Sequence, residues 1–124
     1  MILVTGSTGL LGSHVVCEMV AHGHSVRAMV RSEKRKAVVE RLMHFYYPDR
    51  AAELLQHIEW VSGDVLDLVD LTDAIQGCEK VIHCAALVSF HRRDFWRLFE
   101  TNRKGTANVV NVALEQGVKQ LVYV

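Results

Sequence analysis

The chain has 124 residues, half of them apolar, so it is long enough for one domain with a hydrophobic core and unlike a disordered segment. Its 14 acidic and 14 basic side chains balance, which excludes the strong overall field that draws basic proteins to nucleic acid or anionic membranes. No apolar run approaches the roughly 18 residues of a membrane span. We therefore expect one domain with neither nucleic acid nor membrane as a partner.

The start of the chain and its cysteines predict a compartment. Met1 leads directly into an apolar run, without the basic segment and cleavage site of a signal peptide. Cys17, Cys78 and Cys84 form no C-x-x-C pair, which argues against a disulfide framework and against a zinc site. We therefore expect a cytoplasmic protein without a metal ion.

Strand-like and helix-like stretches alternate along the chain. The strand candidates are short, β-branched and mostly apolar, as is typical of parallel strands covered on both faces. We predict strands over residues 2–4, 25–30, 58–61, 81–84 and 120–124.

Apolar residues at helical spacing fill the gaps between these strands. Glycines mark helix ends, Asp67 has the side chain and position of an N-cap, and Pro48 divides the least regular stretch into two pieces. We predict helices over 11–20 before Gly23, in two pieces within 32–56, over 67–76 before Gly77, and over about 94–116 before Gly117.

This alternation predicts an α/β fold of the Rossmann type, a three-layer sandwich with one parallel sheet and helices on both faces. The simplest strand order is 3-2-1-4-5. No residues follow the fifth strand to form the last strand and helix of a complete fold of this type. We expect residues 1–124 to form a single truncated domain without a substrate domain.

A glycine-rich segment, T-G-S-T-G-L-L-G, lies between the first strand and the first helix. Gly6 allows a tight turn, Gly9 lets a pyrophosphate approach the N–H groups at the helix N-terminus, and Gly12 permits close packing of helix on strand. A preceding strand and a following helix are the context that this dinucleotide fingerprint requires. We expect a nicotinamide dinucleotide to be bound here by Thr5, Gly6, Thr8, Gly9, Leu10, Leu11 and Gly12.

Three later segments complete a family resemblance. They are G-D-V-L-D at 63–67, H-C-A-A at 83–86 and N-R-K-G-T-A-N-V at 102–109. With T-G-x-x-G-x-x-G they resemble, in the same order, motifs of the extended short-chain dehydrogenase/reductase superfamily, the NAD-dependent epimerase/dehydratase group. Residues 25–32 resemble its dihydroflavonol reductase and 3β-hydroxysteroid dehydrogenase branch most. The resemblance implies an oxidoreductase that transfers a hydride between a nicotinamide and a carbonyl or hydroxyl group.

The end of the second strand predicts which dinucleotide is bound. An NAD-preferring site has Asp or Glu there, whereas this chain has Val30 followed by Arg31. A guanidinium suits the 2′-phosphate of NADP, and Lys34 is a further candidate. Lys34 and Arg35 are explained equally well as a solvated helix start, which we favour for Lys36. The sequence therefore predicts NADP(H) rather than NAD(H).

The resemblance assigns further cofactor contacts to the ends of the third and fourth strands. It gives Asp64 a hydrogen bond from the adenine amino group and Val65 a backbone N–H, whereas we interpret Asp67 chiefly as a helix cap. Imidazole titrates near neutrality, but we interpret His83 as positional, with Thr5 bracing the turn from the neighbouring strand. The remaining candidates are Ala85 and Ala86 beside the pyrophosphate and nicotinamide ribose, and Val88 on the adenine-ribose or nicotinamide side.

Two further polar or small residues need an explanation. Asn102 is polar inside an otherwise apolar helix, so its amide needs a partner such as the backbone of a neighbouring strand. The resemblance makes it an organiser of the active site, and a purely structural bond explains it equally well. We expect Gly105 to permit close helix packing. Cys84 should lie near the cofactor, and we interpret it as a small buried hydrophobe.

The catalytic residues of the superfamily are not among these residues. Its members use a Tyr that donates a proton, a Lys four residues later and a Ser that binds the carbonyl oxygen, on which negative charge develops. Tyr46, Tyr47 and Tyr123 have no such Lys. We therefore expect the amino-terminal part of a longer reductase or epimerase, unable to turn over a carbonyl alone.

Three functions remain open. The chain is part of an NADP-dependent oxidoreductase, whose small carbonyl or sugar substrate binds only with the missing half; or it is a noncatalytic NAD(P)-binding module. The third is an interaction protein, because an unpaired strand edge and the helix over 94–116 would expose apolar surface for self-association.

Overall fold

A five-stranded parallel sheet forms the centre of the protein, which a computed structural model describes over residues 1–124. Its strand order is β3-β2-β1-β4-β5, so the predicted sheet and strand order are confirmed. The strands are β1 (Ile2–Thr5), β2 (Val26–Val30), β3 (Ile58–Ser62), β4 (Lys80–His83) and β5 (Gln120–Tyr123).

Helices connect successive strands. Pro48 separates two of them, as predicted, and Asp67 caps the next by accepting hydrogen bonds from Val69 N and Asp70 N. The α-helices are α1 (Leu10–Ala21), α2 (Lys36–Tyr46), α3 (Ala51–Leu55), α4 (Leu68–Ile75), α5 (Phe95–Phe99) and α6 (Gly105–Glu115). No helix combines the length and apolar character that crossing a membrane requires.

The predicted helix over 94–116 is not one regular helix. A 3-10 turn (Arg92–Asp94) leads into α5, and a π-helical segment (Glu100–Lys104) separates α5 from α6. Each α-helical piece keeps its own apolar period, so the sequence pattern does not show the wide turn between them. Such turns frequently occur at functional sites, and this one contains Asn102.

Two apolar cores lie on opposite faces of the sheet. Along β1, Ile2 and Val4 enter the core beneath α1, α2 and α3, while Leu3 enters the core beneath α4 and α6. Alternate side chains of a strand point to opposite faces. Because both faces are covered, the strands are apolar throughout, and the polar groups that matter lie at the strand ends.

The turn after β1 and the start of α1 pack so closely that no side chain fits at Gly6 or Gly12. Gly6 has a φ of +65°, and a Cβ there would lie 2.6 Å from Ala85 N and 2.6 Å from the carbonyl carbon of Cys84. A Cβ at Gly12 would lie 2.0 Å from Gly6 O. The start of α1, the turn after β1 and the end of β4 are therefore in backbone contact, as the glycine spacing predicts.

We predict that Gly12→Ala lowers the free energy of unfolding by about 3 kcal/mol, because rigid backbone rather than a flexible side chain opposes the new methyl group. Gly9→Ala is the matched control, since a Cβ there meets only Gly6 O, at 3.4 Å. Urea denaturation of both variants measures the difference. Equal losses of stability in the two variants would contradict the close backbone packing at Gly12.

Candidate functional site

A cleft of about 340 Å³ opens where β1, β2, β3 and β4 end and their following loops meet. Open parallel sheets bind ligands at this carboxyl edge, where the connections of adjacent strands diverge to opposite faces. The structure brings to the cleft surface the predicted residues Gly6, Thr8, Gly9, Arg31, Asp64, Val65, Ala85 and Ala86.

The other predicted cofactor residues lie off the cleft surface. Thr5 and His83 are buried behind it, Leu10, Leu11 and Gly12 form the first turn of α1, Lys34 lies in the exposed turn after β2, and Val88 is 84% exposed.

Arg35, rather than Lys34, lines the cleft together with Ser32. Residues Glu33–Arg35 form a 3-10 helix, in which Arg35 N donates to Ser32 O at 3.0 Å. Side chains three residues apart eclipse one another in such a helix, so Ser32 and Arg35 share one side and Lys34 turns away. The 3-10 helix determines that Arg35 rather than Lys34 faces the cleft, and the sequence pattern does not predict that helix.

The glycine loop presents unpaired backbone donors. Gly9 N donates to Gly6 O, and the first helical bond of α1 runs from Ser13 N to Gly9 O, both at 3.0 Å. The N–H groups of Leu10, Leu11 and Gly12 therefore have no carbonyl in their own helix to bond. The helix dipole adds partial positive charge at the same point. These donors fit a bound phosphate, as does the room at Gly9, where a Cβ would meet only Gly6 O at 3.4 Å.

Two cationic side chains, Arg31 and Arg35, follow β2 and lie in the same cleft as the glycine loop. Ser7 Oγ ties this loop to β2 by donating to Met29 O at 2.7 Å. Arg31 and Arg35 both line the cleft, and neither forms an ion pair with a carboxylate. Val30, at the position where NAD-preferring sites have an acid, is buried. The site thus combines two free guanidinium groups with no nearby competing carboxylate from β2.

Asp64 lies in the loop after β3. Its backbone N donates to Asp70 Oδ2 and its Oδ1 accepts from Leu66 N, both at 3.0 Å. Asp64 Oδ2 has no protein hydrogen bond and remains an available acceptor beside the cleft. Asp67, by contrast, is occupied as the α4 cap, as predicted.

His83 is enclosed by hydrogen bonds on both sides of its ring. Nδ1 lies 2.6 Å from Thr5 Oγ1 and Nε2 lies 2.9 Å from Thr106 Oγ1, while Ala85 N donates to Thr5 Oγ1 at 3.2 Å. The ring stacks on Tyr123, with centroids 5.7 Å apart. Burial lowers the pKa of His83 below its ordinary value of 6.5, so the imidazole is neutral near pH 7.

Asn102 holds the segment that follows β4. Its Oδ1 accepts from Leu87 N at 2.8 Å and its Nδ2 donates to Leu87 O at 2.9 Å. The expectation of a strand partner was wrong, because Leu87 lies in the loop after β4. Leu87 lies beyond the paired part of β4, so its N–H and C=O have no neighbouring strand to bond. The side-chain amide of Asn102 bonds both groups instead.

The helix that follows holds the loop after β3. A Cβ at Gly105 would lie 2.7 Å from Val65 Cγ2, so the predicted close packing is present. Asn108 Nδ2 donates to Val65 O at 3.1 Å. The segment from Asn102 to Asn108 therefore braces two of the loops that line the cleft.

Cys84 lines the cleft, as its expected place near the cofactor requires, but it is half-buried, so the expectation of a buried hydrophobe was wrong. Strand pairing ends at His83, which leaves Cys84 in the cleft wall rather than in the sheet. Burial raises the pKa of its thiol, so the thiol is protonated near pH 7.

The chain is similar to longer proteins over almost its whole length. A profile of the NAD dependent epimerase/dehydratase family matches residues 2–124. A putative dihydroflavonol 4-reductase of Synechocystis sp. is 35% identical, the match covering 97% of this chain and 31% of that protein. Sterol demethylase protein B of Methylococcus capsulatus is 33% identical, with 98% and 33% covered. The chain thus spans about a third of the curated relatives it matches.

Solved structures agree with this similarity. A short-chain dehydrogenase/reductase superfamily protein from Agrobacterium tumefaciens, solved with bound NAD, has 30% sequence identity and a TM-score of 0.76, the match covering 99% of this chain and 31% of that one. The dihydroflavonol reductase-like resemblance of the sequence is confirmed by these findings.

We predict that stability falls as the pH drops below 6.5, the ordinary pKa of histidine. His83 stays neutral in the folded protein while the unfolded chain binds a proton there, so the unfolded state is favoured at lower pH. The stabilisation is complete above 6.5 and is lost as the pH falls from that value towards the lowered pKa of the folded state.

Urea denaturation at several pH values between 7.5 and 5 measures this effect. We expect His83→Asn to show a weaker pH dependence than the wild type. His57→Asn, at an exposed position, should leave the dependence as it is. An unchanged pH dependence in His83→Asn would rule out the contribution assigned to this imidazole.

Proposed function

Because the chain belongs to the NAD dependent epimerase/dehydratase family, we propose that it is the NADP(H)-binding part of an extended short-chain dehydrogenase/reductase. In the longer protein a hydride passes between the nicotinamide and a small carbonyl, hydroxyl or sugar substrate. The observation that carries the proposal is the junction of the phosphate-binding loop, at Gly9, with the two unpaired guanidinium groups of Arg31 and Arg35 in one cleft.

Each part of the cleft suits one part of the dinucleotide. The N–H groups at the start of α1 would bind the pyrophosphate, and Asp64 Oδ2 would accept from the adenine amino group. The planar guanidinium groups of Arg31 and Arg35 would bind the 2′-phosphate through bidentate hydrogen bonds. The small side chains of Ala85 and Ala86 leave room for the cofactor to pass close to the backbone.

The nicotinamide supplies or accepts the hydride, and these residues bind and orient it. Protonation of a carbonyl oxygen needs a positioned acid. Four residues after Tyr46 and Tyr47 lie Arg50 and Ala51 rather than a lysine, and Tyr123 is the last residue of β5, where it is 63% exposed. We therefore assign no catalytic residue to these 124 residues, and we expect them to bind the cofactor without reducing a carbonyl on their own.

A second candidate function is association through β5. This strand pairs with β4 alone, which leaves its other edge open. Val122, Tyr123 and Val124 are exposed there, as an interaction edge would be.

For the compartment we propose the cytoplasm, because the cysteines are all free and reducing compartments keep thiols in that state.

We predict that the wild-type chain binds NADPH more tightly than NADH. Arg31→Ala should raise the Kd for NADPH by about tenfold to a hundredfold, the effect of losing charge-assisted hydrogen bonds, and change the Kd for NADH by no more than about twofold. Calorimetric titration with both cofactors measures these constants.

The matched control is Arg50→Ala, which removes an exposed guanidinium outside the cleft and should leave both Kd values unchanged. Equal or tighter binding of NADH by the wild type would overturn the NADP assignment. Binding of neither cofactor would overturn the proposed function.

A further inference from the structure

One buried imidazole connects three of the four sequence motifs. His83, at the end of β4, opens the H-C-A-A motif. Its ring lies between Thr5, which opens the glycine-rich motif, and Thr106, which lies in the N-R-K-G-T-A-N-V motif at 102–109. Thr5 and His83 are at most 1% exposed, and none of the three residues lines the cleft. They form a hydrogen-bonded chain behind its wall.

The hydrogen bonds specify where the protons are. Thr5 Oγ1 accepts the N–H of Ala85, and the acceptor available to its own proton is His83 Nδ1, at 2.6 Å. Nδ1 is then the acceptor of this pair, which assigns the proton of the neutral ring to Nε2, 2.9 Å from Thr106 Oγ1. Thr106 is only partly buried, so its own hydroxyl proton can be donated to solvent, whereas that of the fully buried Thr5 cannot. The geometry therefore selects one tautomer of the neutral ring.

At its Thr5 end, this hydrogen-bonded chain reaches the backbone of the cleft wall. Ala85 and Leu87 line the cleft, and Leu87 is already held by Asn102. The Thr5 hydroxyl holds the other end, at Ala85, whose N lies 2.6 Å from where a Gly6 Cβ would be. The bond from Ala85 N to Thr5 thus fixes the wall directly against the turn that begins the phosphate loop.

We propose that His83 is a positioning residue for the cofactor: by accepting a hydrogen bond from the Thr5 hydroxyl at Nδ1, it orients a lone pair of that oxygen toward Ala85 N, and so sets the position of the cleft wall. Burial, which lowers the pKa of His83, keeps the ring neutral near pH 7, so that one of its nitrogens can accept a hydrogen bond. The inference rests on the proposed dinucleotide binding.

The first test compares Thr5→Val with Thr5→Ser. Valine keeps the β-branched shape that suits a buried strand position but removes the hydroxyl, whereas serine keeps the hydroxyl. We expect Thr5→Val to raise the Kd for NADPH about three- to tenfold, and Thr5→Ser to stay within about twofold of the wild type.

Titrations are made well below each variant's melting temperature, so that only folded protein is compared. The matched control is Thr72→Val, because the Thr72 hydroxyl bonds Leu68 O of its own helix away from the cleft. It should leave the Kd unchanged. A wild-type Kd in folded Thr5→Val would overturn the proposal, since a purely structural role lowers only the melting temperature.

A second pair of variants decides the matter if Thr5→Val does not fold. In His83→Asn the amide oxygen replaces Nδ1 as the acceptor for Thr5, whereas His83→Leu offers none. We expect the Kd of His83→Asn to stay within about twofold of the wild type and that of His83→Leu to rise about three- to tenfold. Equal Kd values in the two variants would overturn the proposal.

The spectroscopic test does not need the cofactor. Two-bond nitrogen–proton correlations of the His83 ring should show a protonated Nε2 and an unprotonated Nδ1 at pH 7.5. The opposite tautomer would overturn the proposal whether or not the cofactor binds. If the wild type binds neither NADPH nor NADH but shows the expected tautomer, the proposed function fails and the hydrogen-bonded chain stands.

Discussion

The contact between the Gly6 turn and the backbone of Cys84 and Ala85 is the constraint on which the site depends. Its atoms approach so closely that a Cβ at Gly6 would meet the main chain of these two residues, just after β4, at 2.6 Å. This approach places the start of α1 beside the loop after β4, and the cleft is the space left between them. Any side chain at Gly6 or Gly12 would separate these elements and change the cleft before it touched a ligand.

Charge in this protein acts locally, because its acidic and basic residues balance. Arg27, on β2, is a structural cation that donates to Ala74 O, Gln76 O and Glu59. Arg31 and Arg35 lie near the opposite end of the strand with no carboxylate partner. An anion in the cleft would meet free guanidinium groups and a helix N-terminus, without a protein carboxylate to displace.

The sheet, its strand order and the glycine turn could be predicted because each depends on a local pattern: apolar strands, helical periodicity and glycine spacing. The choice of Arg35 over Lys34 could not, since a short 3-10 helix decides which side chain faces the cleft. The partners of Asn102 and His83 are far away in sequence or in irregular backbone. Those contacts follow from how the π-helical segment packs on the loop after β4 and how α6 packs on β4 itself, for which one sequence offers no periodic signal.

The proposed function depends on binding of the dinucleotide in the cleft at the carboxyl edge of the sheet. A backbone amide NMR titration of the isotope-labelled chain with NADPH maps where the cofactor binds. We expect shifts concentrated at Gly6–Gly12, Arg31, Asp64 and Ala85. The separate shallow groove lined by Leu98, Phe99, Arg103, Thr106, Ala107 and Tyr123 should be unaffected. Shifts centred on that groove, around Thr106 and Tyr123, or none at saturating cofactor, would contradict binding in the cleft.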